Sequence, residues 1–422
     1  MTKRSQFWTS NLLQLGARFV QAMVIARFAG PHNFGIYVGA VAIPLILARV
    51  FEFNISQGLA YFTRLHPDTF GQALHILFRH MGFVLLPVAV TVILMRYYPY
   101  GEDGVAGLVA SAWYLITLSL IAQLFLGVIG PLMVASDNVP IYAFAVISPP
   151  VLFASFVTIV RLLFGQVSAA QLVFCDAVSA GLIMLGLVAL LWNKRAAVGS
   201  HQVGLRDIYG YSAKSFPGVI AKVLSVRLDR ILLVSLLRAP DLALYSVGVS
   251  LRDIALTPSN IYAVTYQNHL IDQVKRGKGF RRALLTRMLQ WTALACLGAL
   301  FFWFAADTLI PLVYGEAFAP AAPVARILML SAIFVIAAGF GWMLMVATGH
   351  PAALSIANVS AAAVELVLLW LLATRFGVTG AAWATVAATA IMAFSTIAVA
   401  YLLKQKKTMS PAPASDGVQV PE

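Results

Sequence analysis

Four ionisable residues, Lys222, Arg227, Asp229 and Arg230, lie inside one hydrophobic stretch of the chain, 209–236. Guanidinium and ammonium groups in such a setting suit one chemistry above others, the neutralisation of an anion. Arg does this through a planar fork of N–H donors, Lys as a point charge. A charge at the centre of a bilayer costs roughly 2.5–3.5 kcal/mol on insertion scales, so such residues face a partner or a water-filled cavity.

Three further polar rows have helical spacing. Asn11, Gln14, Arg18 and Gln21 are three, four and three residues apart. Arg49, Glu52 and Ser56 share a face, and Arg49 is placed to pair with Glu52. Ser246, Ser250, Asp253, Thr257 and Asn260 form another row with Arg252 beside it. The 209–236 stretch carries its own row, Tyr211, Ser215, Gly218, Lys222, Ser225 and Asp229. Any single row also fits a hydrogen-bonded seam between helices. Together they do not balance. Arg18, Arg49, Lys214, Lys222, Arg227, Arg230 and Arg252 stand against Glu52, Asp229 and Asp253, seven cations to three carboxylates. A dry interior would be costly, so an anionic ligand or solvating water stands opposite them. Lys214 is the weakest member, being close enough to a helix end to snorkel.

Asp176 and Glu365 are isolated acids in apolar stretches. Each fits a structural hydrogen bond, or a carboxyl that loads and releases a proton. No metal centre is expected, since the seven His residues are scattered without ligand spacing. No phosphate-binding Gly-x-x-x-x-Gly-Lys-Ser/Thr loop, His-Glu-x-x-His or Gly-x-Ser-x-Gly sequence occurs. No cofactor and no enzymatic activity are expected. Cys175 and Cys296 read as buried free thiols.

The elements that must position these residues follow from composition. Of 422 residues, 61% are hydrophobic and 11% charged, too few charges to cover a soluble surface. About twelve apolar stretches of membrane-spanning length recur, giving an all-α polytopic membrane protein. Alternate connections carry most Lys and Arg, which puts both termini in the cytoplasm. The formal charge of +13 thus serves topology rather than nucleic-acid binding.

The second half echoes the first at an offset of about 210 residues. Gly35-Ile36-Tyr37-Val38 matches Ala243-Leu244-Tyr245-Ser246; Phe164-Gly165 with Ala169-Ala170 matches Phe376-Gly377 with Ala381-Ala382. The Asp137–Pro140 turn matches Gly349–Pro351. Six spans per half is an even number, so the repeats are parallel, two bundles making a V around a central cavity. The expected parts are a six-helix lobe at 1–192, a cytoplasmic linker at 193–208, a second six-helix lobe at 209–403, and a disordered tail at 404–422. Pro44, Pro217 and Pro258 mark static kinks or hinges. The basic run Arg276–Arg287 fits an amphipathic helix on the anionic inner leaflet, or a topology signal.

The order of several short motifs resembles a known family. Ala29-Gly30-Pro31-x-x-Phe34-Gly35-x-Tyr37 is followed by Arg227-Leu228-Asp229-Arg230 and Leu244-Tyr245-Ser246-Val247. Tyr314-Gly315-Glu316-x-Phe318 with Pro323, and Arg375-Phe376-Gly377-Val378-Thr379-Gly380-Ala381-Ala382, complete the series. The chain is similar to the polysaccharide-transporter branch (Wzx-type O-antigen flippases) of the multidrug/oligosaccharidyl-lipid/polysaccharide exporter superfamily. That resemblance implies flipping of an undecaprenyl-diphosphate-linked oligosaccharide across the bacterial inner membrane. It also implies a cationic cavity formed by spans 1, 2, 7 and 8. In that reading Arg18, Arg49, Lys222, Arg227 and Arg230 neutralise the diphosphate, and Asn11, Gln14, Gln21 and Asn260 bond the sugar. Glu52, Asp229, Asp253, Arg252, Asp176 and Glu365 serve as ion-pair or coupling groups. Implied partners are the lipid bilayer, a polysaccharide polymerase and a chain-length regulator. Lipid II flippases have fourteen spans, so about twelve here argues against that branch. A cation-coupled multidrug or metabolite antiporter of the same superfamily is the alternative, disfavoured by the excess of Arg and Lys; a membrane-embedded glycan enzyme or a scaffold is the third reading.

Overall fold

The computed structural model describes residues 3–97, 104–196, 204–275, 281–347 and 351–406; within these, several side chains, including those of 214–215 and 218–228, lie outside the described set. The side chains of Lys214, Lys222 and Arg227, together with Gly349 and His350 of the second-half turn, Arg276–Phe280 and the tail beyond 406, therefore fall outside the described residues. Twelve α-helices account for nearly all of the rest: α1 (Lys3–Phe51), α2 (Ile55–Leu65), α3 (Phe70–Tyr97), α4 (Gly104–Ser111), α5 (Trp113–Ala135), α6 (Val139–Phe164), α7 (Ala169–Trp192), α8 (Leu205–Leu236), α9 (Ala239–Lys275), α10 (Arg281–Tyr314), α11 (Ala321–Ala347) and α12 (Pro351–Lys406). Among the described residues there is no strand. Helix is the expected answer for apolar sequence in lipid, where every backbone N–H and C=O must be satisfied within its own segment.

Among the described residues, eight helices are long and apolar enough to cross a membrane. The two that hold the densest ionisable rows, α8 and α9, are not among them. Two of the eight break internally. Gly30, at φ 70° and ψ 174°, splits α1 just before Pro31, and Gly377, at φ 60° and ψ −141°, splits α12. Without a Cβ, glycine takes these angles at no steric cost. The 210-residue periodicity reappears in the backbone. Gly104 and Gly315 both have positive φ, as do Gly165 and Gly377, the pairs being 211 and 212 residues apart.

Some local expectations need correction. Pro44 lies in helix; the second span breaks instead at Phe53 and Asn54, with φ of 49° and 54°, between α1 and α2. Pro217 and Pro258 sit within α8 and α9 without interrupting them. From Arg281 onward the basic run forms the first turns of α10 and is continuous with that helix, not a separate surface helix. Cys175 is buried, but Cys296 is exposed. Cys296 sits on an α10 face rich in exposed Leu294, Leu297 and Phe301, the pattern of a lipid-facing surface.

The long α1 is the spine that joins the two halves of the chain. It packs on α5 and α6 of its own half and on α8 and α9 of the other. Gly35 permits the closest approach: a Cβ there would lie 1.7 Å from the carbonyl oxygen of Ala239 at the start of α9. Beside it Phe34 meets Phe318, ring centroids 6.0 Å apart, and Arg27 Nε donates to the Val313 carbonyl at 2.9 Å. At the other end of the bundle, nearer the N-terminus, Tyr61 of α2 stacks on Tyr211 of α8 at 4.7 Å and 12°. Phe53 meets Phe216 at 4.7 Å, and Gly58 lies against Ser212 and the Ile208 carbonyl. The halves therefore touch at both ends.

Candidate functional site

Between these two sets of contacts lies a cavity of about 1330 Å³. That exceeds the roughly 300–1,000 Å³ of pockets for drug-sized ligands. Its wall is built from the helical rows read in the sequence. From α1 come Asn11, Gln14, Arg18 and Gln21, then, beyond the Gly30 break, Tyr37, Val41, Leu45 and Arg49. The α8 helix supplies Tyr211 and Arg230, and α9 supplies Ser246, Ser250, Asp253 and Thr257.

Arg18 is accessible to solvent within this cavity. It lies in the field of Tyr142, Asp253 and Arg49, and no side chain among the described residues hydrogen-bonds it. Arg49 pairs with Glu52 at 2.7 Å, as its spacing foretold, yet its side chain keeps 46% of its exposure while Glu52 keeps 5%. Ser56, beyond the helix break, also donates to Glu52. So one buried carboxylate ties together the two sides of the break and leaves the Arg49 guanidinium partly open to the cavity. Gly127 makes room for it, since a Cβ there would lie 3.1 Å from Arg49 Nη1. Arg230 also lines the cavity, and its buried Nε has no hydrogen-bond partner among the described residues. Four guanidinium groups thus line one void; Arg64, at its rim, is paired with Asp137, and of the other three, Arg18 and Arg230 have donor capacity unspent. That arrangement fits an anion, which would take up N–H donors that are otherwise costly to desolvate.

Other candidate residues fall elsewhere. Asn260 continues the α9 row but is exposed and does not line the cavity. Arg252 pairs with Asp253 at 2.9 Å and keeps 12% of its side-chain exposure. Asp229 is buried; it accepts from the Tyr245 hydroxyl at 3.0 Å and from the Arg230 backbone N–H at 2.7 Å. Thr385 Oγ1 of α12 lies 2.9 Å from the same Tyr245 hydroxyl. Glu365 of α12 lies in the field of Asp229 and Arg252. Asp176 is different: it lines the cavity while accepting from Ser119 at 2.7 Å and from Tyr37 at 3.4 Å.

The sequence reading missed one wall. The α5 helix contributes Gln123, Gly127, Gly130 and Val134, and α6 contributes Tyr142, Ala145, Pro149 and Phe153. The signal was present as spacing, four, three and four residues along α5, but only one member of that row is polar.

The fold and site define the class: a polytopic helical membrane protein with a polar central cavity. Residues 5–271 match the sequence model of the polysaccharide biosynthesis protein family, and the chain belongs to that family. No curated protein sequence matches it closely enough to count. Among solved structures it is similar to an inward-facing multidrug-resistance MATE family transporter of the MOP superfamily, with a TM-score of 0.68 at 13% identity over 97% of each chain. It is similar also to the lipid II flippase MurJ in an inward closed conformation, with a TM-score of 0.71 at 12% identity over 94% of this chain and 87% of that one. A third is a MOP superfamily transporter from Pyrococcus furiosus, reported for the reverse polarity of its binding pocket, with a TM-score of 0.64 at 13% identity over 97% and 98%. At such identities these likenesses establish the fold alone, one this chain shares with those three structures.

Proposed function

We propose that the protein flips an undecaprenyl-diphosphate-linked oligosaccharide, an O-antigen or exopolysaccharide repeat unit, from the cytoplasmic to the periplasmic leaflet of a bacterial inner membrane. The observation that carries this reading is the open guanidinium of Arg18 beside Arg49 and Arg230 in a 1330 Å³ cavity, in a chain of the polysaccharide biosynthesis family. The diphosphate is the ligand group that a cluster of guanidiniums matches best. Lys222 and Arg227, on the same helix as Arg230, keep the role their sequence position suggests. Amides at Asn11, Gln14 and Gln21 face the same void and suit sugar hydroxyls. The polyprenyl tail stays in lipid.

Movement follows from the two sets of contacts. Parting Tyr61 from Tyr211 and Gly58 from Ser212 opens the cavity at the end nearer the N-terminus; parting Gly35 from Ala239 opens it at the other. Breaking them in turn is alternating access. An excess of cations over free carboxylates disfavours an organic cation as cargo.

The test is flipping of a fluorescent or radiolabelled undecaprenyl-diphosphate glycan by purified protein in vesicles. Arg18→Ala is expected to lower the rate by about 10- to 100-fold, the worth of one charge-assisted contact of roughly 1.5–3 kcal/mol. Membrane insertion and melting temperature stay unchanged. Wild-type flipping by Arg18→Ala, or dye efflux without lipid flipping by the unaltered protein, refutes the proposal.

A further inference from the structure

The cavity is chemically divided. Its cations lie on α1 and α8, with Arg64 of α2 at the rim, whereas the wall formed by α5 and α6 is neutral from Gln123 to Phe153 apart from Asp137. Asp137 pairs with Arg64 at 3.0 Å at the rim. The next acid along the wall is Asp176, whose two carboxylate oxygens accept from Ser119 and Tyr37. Into this bay project an aromatic set and a few amides. Phe7 stacks on Tyr142 with centroids 5.5 Å apart and planes 26° apart, and the Tyr142 hydroxyl donates to Asn11 Oδ1 at 3.1 Å. Gln123 stands one turn from Gly127, and a Cβ on Gly130 would come within 4.0 Å of the Tyr142 ring. The bay adjoins the cations directly, since Gly127 abuts Arg49 and Tyr142 lies in the field of Arg18.

We infer that this bay is the glycan subsite and that it selects uncharged sugars over acidic ones. The inference rests on the flippase reading and deepens it. The faces of pyranose rings present C–H groups carrying partial positive charge, which suit the electron-rich faces of Tyr and Phe. Hydroxyls need groups that both donate and accept, which Gln and Asn side chains supply. A uronic acid would bring its carboxylate toward Asp176 and Asp137. Of the cations around the bay, Arg64 is paired with Asp137 and Arg49 with Glu52, and Arg18 is taken by the diphosphate. A diphosphate held at Arg18 and Arg49 places the first sugar against Tyr142 and Gln123, which line the cavity beside them.

The experiment measures binding of three lipids to the full-length protein in nanodiscs. The lipids are undecaprenyl diphosphate alone, the same lipid bearing a neutral trisaccharide, and the same trisaccharide with one hexose replaced by a uronic acid. The expected order is neutral glycan tightest, with the acidic glycan at least about tenfold weaker, equivalent to one lost or opposed polar contact. Gln123→Leu and Tyr142→Ala are expected to weaken the neutral glycan by about tenfold and to leave bare undecaprenyl diphosphate within about twofold. Tyr142→Phe, which keeps the ring, retains most of the affinity and controls for folding. Arg18→Ala weakens all three lipids alike. Equal affinity for acidic and neutral glycans, or equal losses for bare lipid and glycan lipid in the Gln123 and Tyr142 variants, overturns the subsite while the flippase reading stands. Indifference of every lipid to Arg18→Ala overturns both.

Discussion

The two halves of the chain carry similar polar residues and divide them differently between the cavity and the interior. In the first half, polar side chains open into the void: Asn11, Gln14, Arg18, Gln21, Arg49 and Gln123 all line it. In the second, Arg230, Ser246, Ser250, Asp253 and Thr257 line it too, but behind them lies a set of polar groups that close on one another. Asp229 accepts from Tyr245, Tyr245 meets Thr385, Arg252 is held by Asp253, and Glu365 lies in the field of Asp229 and Arg252. The first half thus presents most of the amides and guanidiniums at the cavity, while the second adds a buried cluster around Asp229 that is spent on internal structure. The physics differs accordingly. A guanidinium in water-filled space keeps its donors available for a ligand, whereas a buried carboxylate is tolerable only if its hydrogen bonds are made inside the protein.

The largest effect expected concerns the seam between the halves. A side chain at Gly35 collides with the backbone of Ala239, which neither residue can move cheaply. Gly35→Val is expected to force α1 and α9 apart, abolishing transport and lowering the melting temperature. Gly298→Val is the control, since nothing lies within 4 Å of a Cβ there. Equal behaviour of the two variants in a thermal melt means that the seam is not closed in the stable state.

Next in size is the contrast between the halves themselves. Arg18→Ala is expected to cost transport and not stability, as argued above. Tyr245→Phe in the second half is expected to do the reverse. It strips Asp229 of one hydrogen bond in a buried setting, at a cost of about 1–3 kcal/mol. Its flipping rate, measured at a temperature where it remains folded, stays close to that of the unaltered protein. If Tyr245→Phe instead cuts transport without lowering stability, the second half is no mere scaffold and the contrast drawn here fails.

Much of this was legible in the sequence, and the reasons it stopped are specific. The Asn11–Gln21 and Ser246–Thr257 rows read correctly because one helix's periodicity fixes which residues share a face. The Arg49–Glu52 pair was likewise local. The break at Phe53 and Asn54 was not legible: neither is Gly or Pro, and Phe53 packs against Phe216, 163 positions away. Asn260 misled because a row says which way residues point but not where a cavity ends. The α5–α6 wall was missed because glycine, proline and aliphatic side chains carry no chemical signal of facing water. The fate of Asp229 was hidden too, since its partners Tyr245 and Thr385 come from α9 and α12.

A finer test bears on how the halves are held. Arg27 of the first half donates to the carbonyls of Leu312 and Val313 in the last turn of α10, at the end of the bundle where Phe34 meets Phe318. The last four carbonyls of a helix lack intrahelical partners, and that end carries the negative pole of the helix dipole, so a cation there acts as a cap. Because Arg27 is exposed, its contribution to stability is small, below about 1 kcal/mol. Its effect on the opening of the seam is more informative. In a protein whose Cys175 and Cys296 are replaced by Ala, a reporter Phe34→Cys sits beside Phe318 in the contact that must part when the cavity opens at this end. Adding Arg27→Gln is expected to raise the rate at which a membrane-impermeant maleimide labels that reporter, by severalfold and with little change in melting temperature. Unchanged labelling means that the Gly35 and Phe34 contacts hold the seam alone. The capping of α10 would then belong to the stability of the second half and not to the coupling between halves.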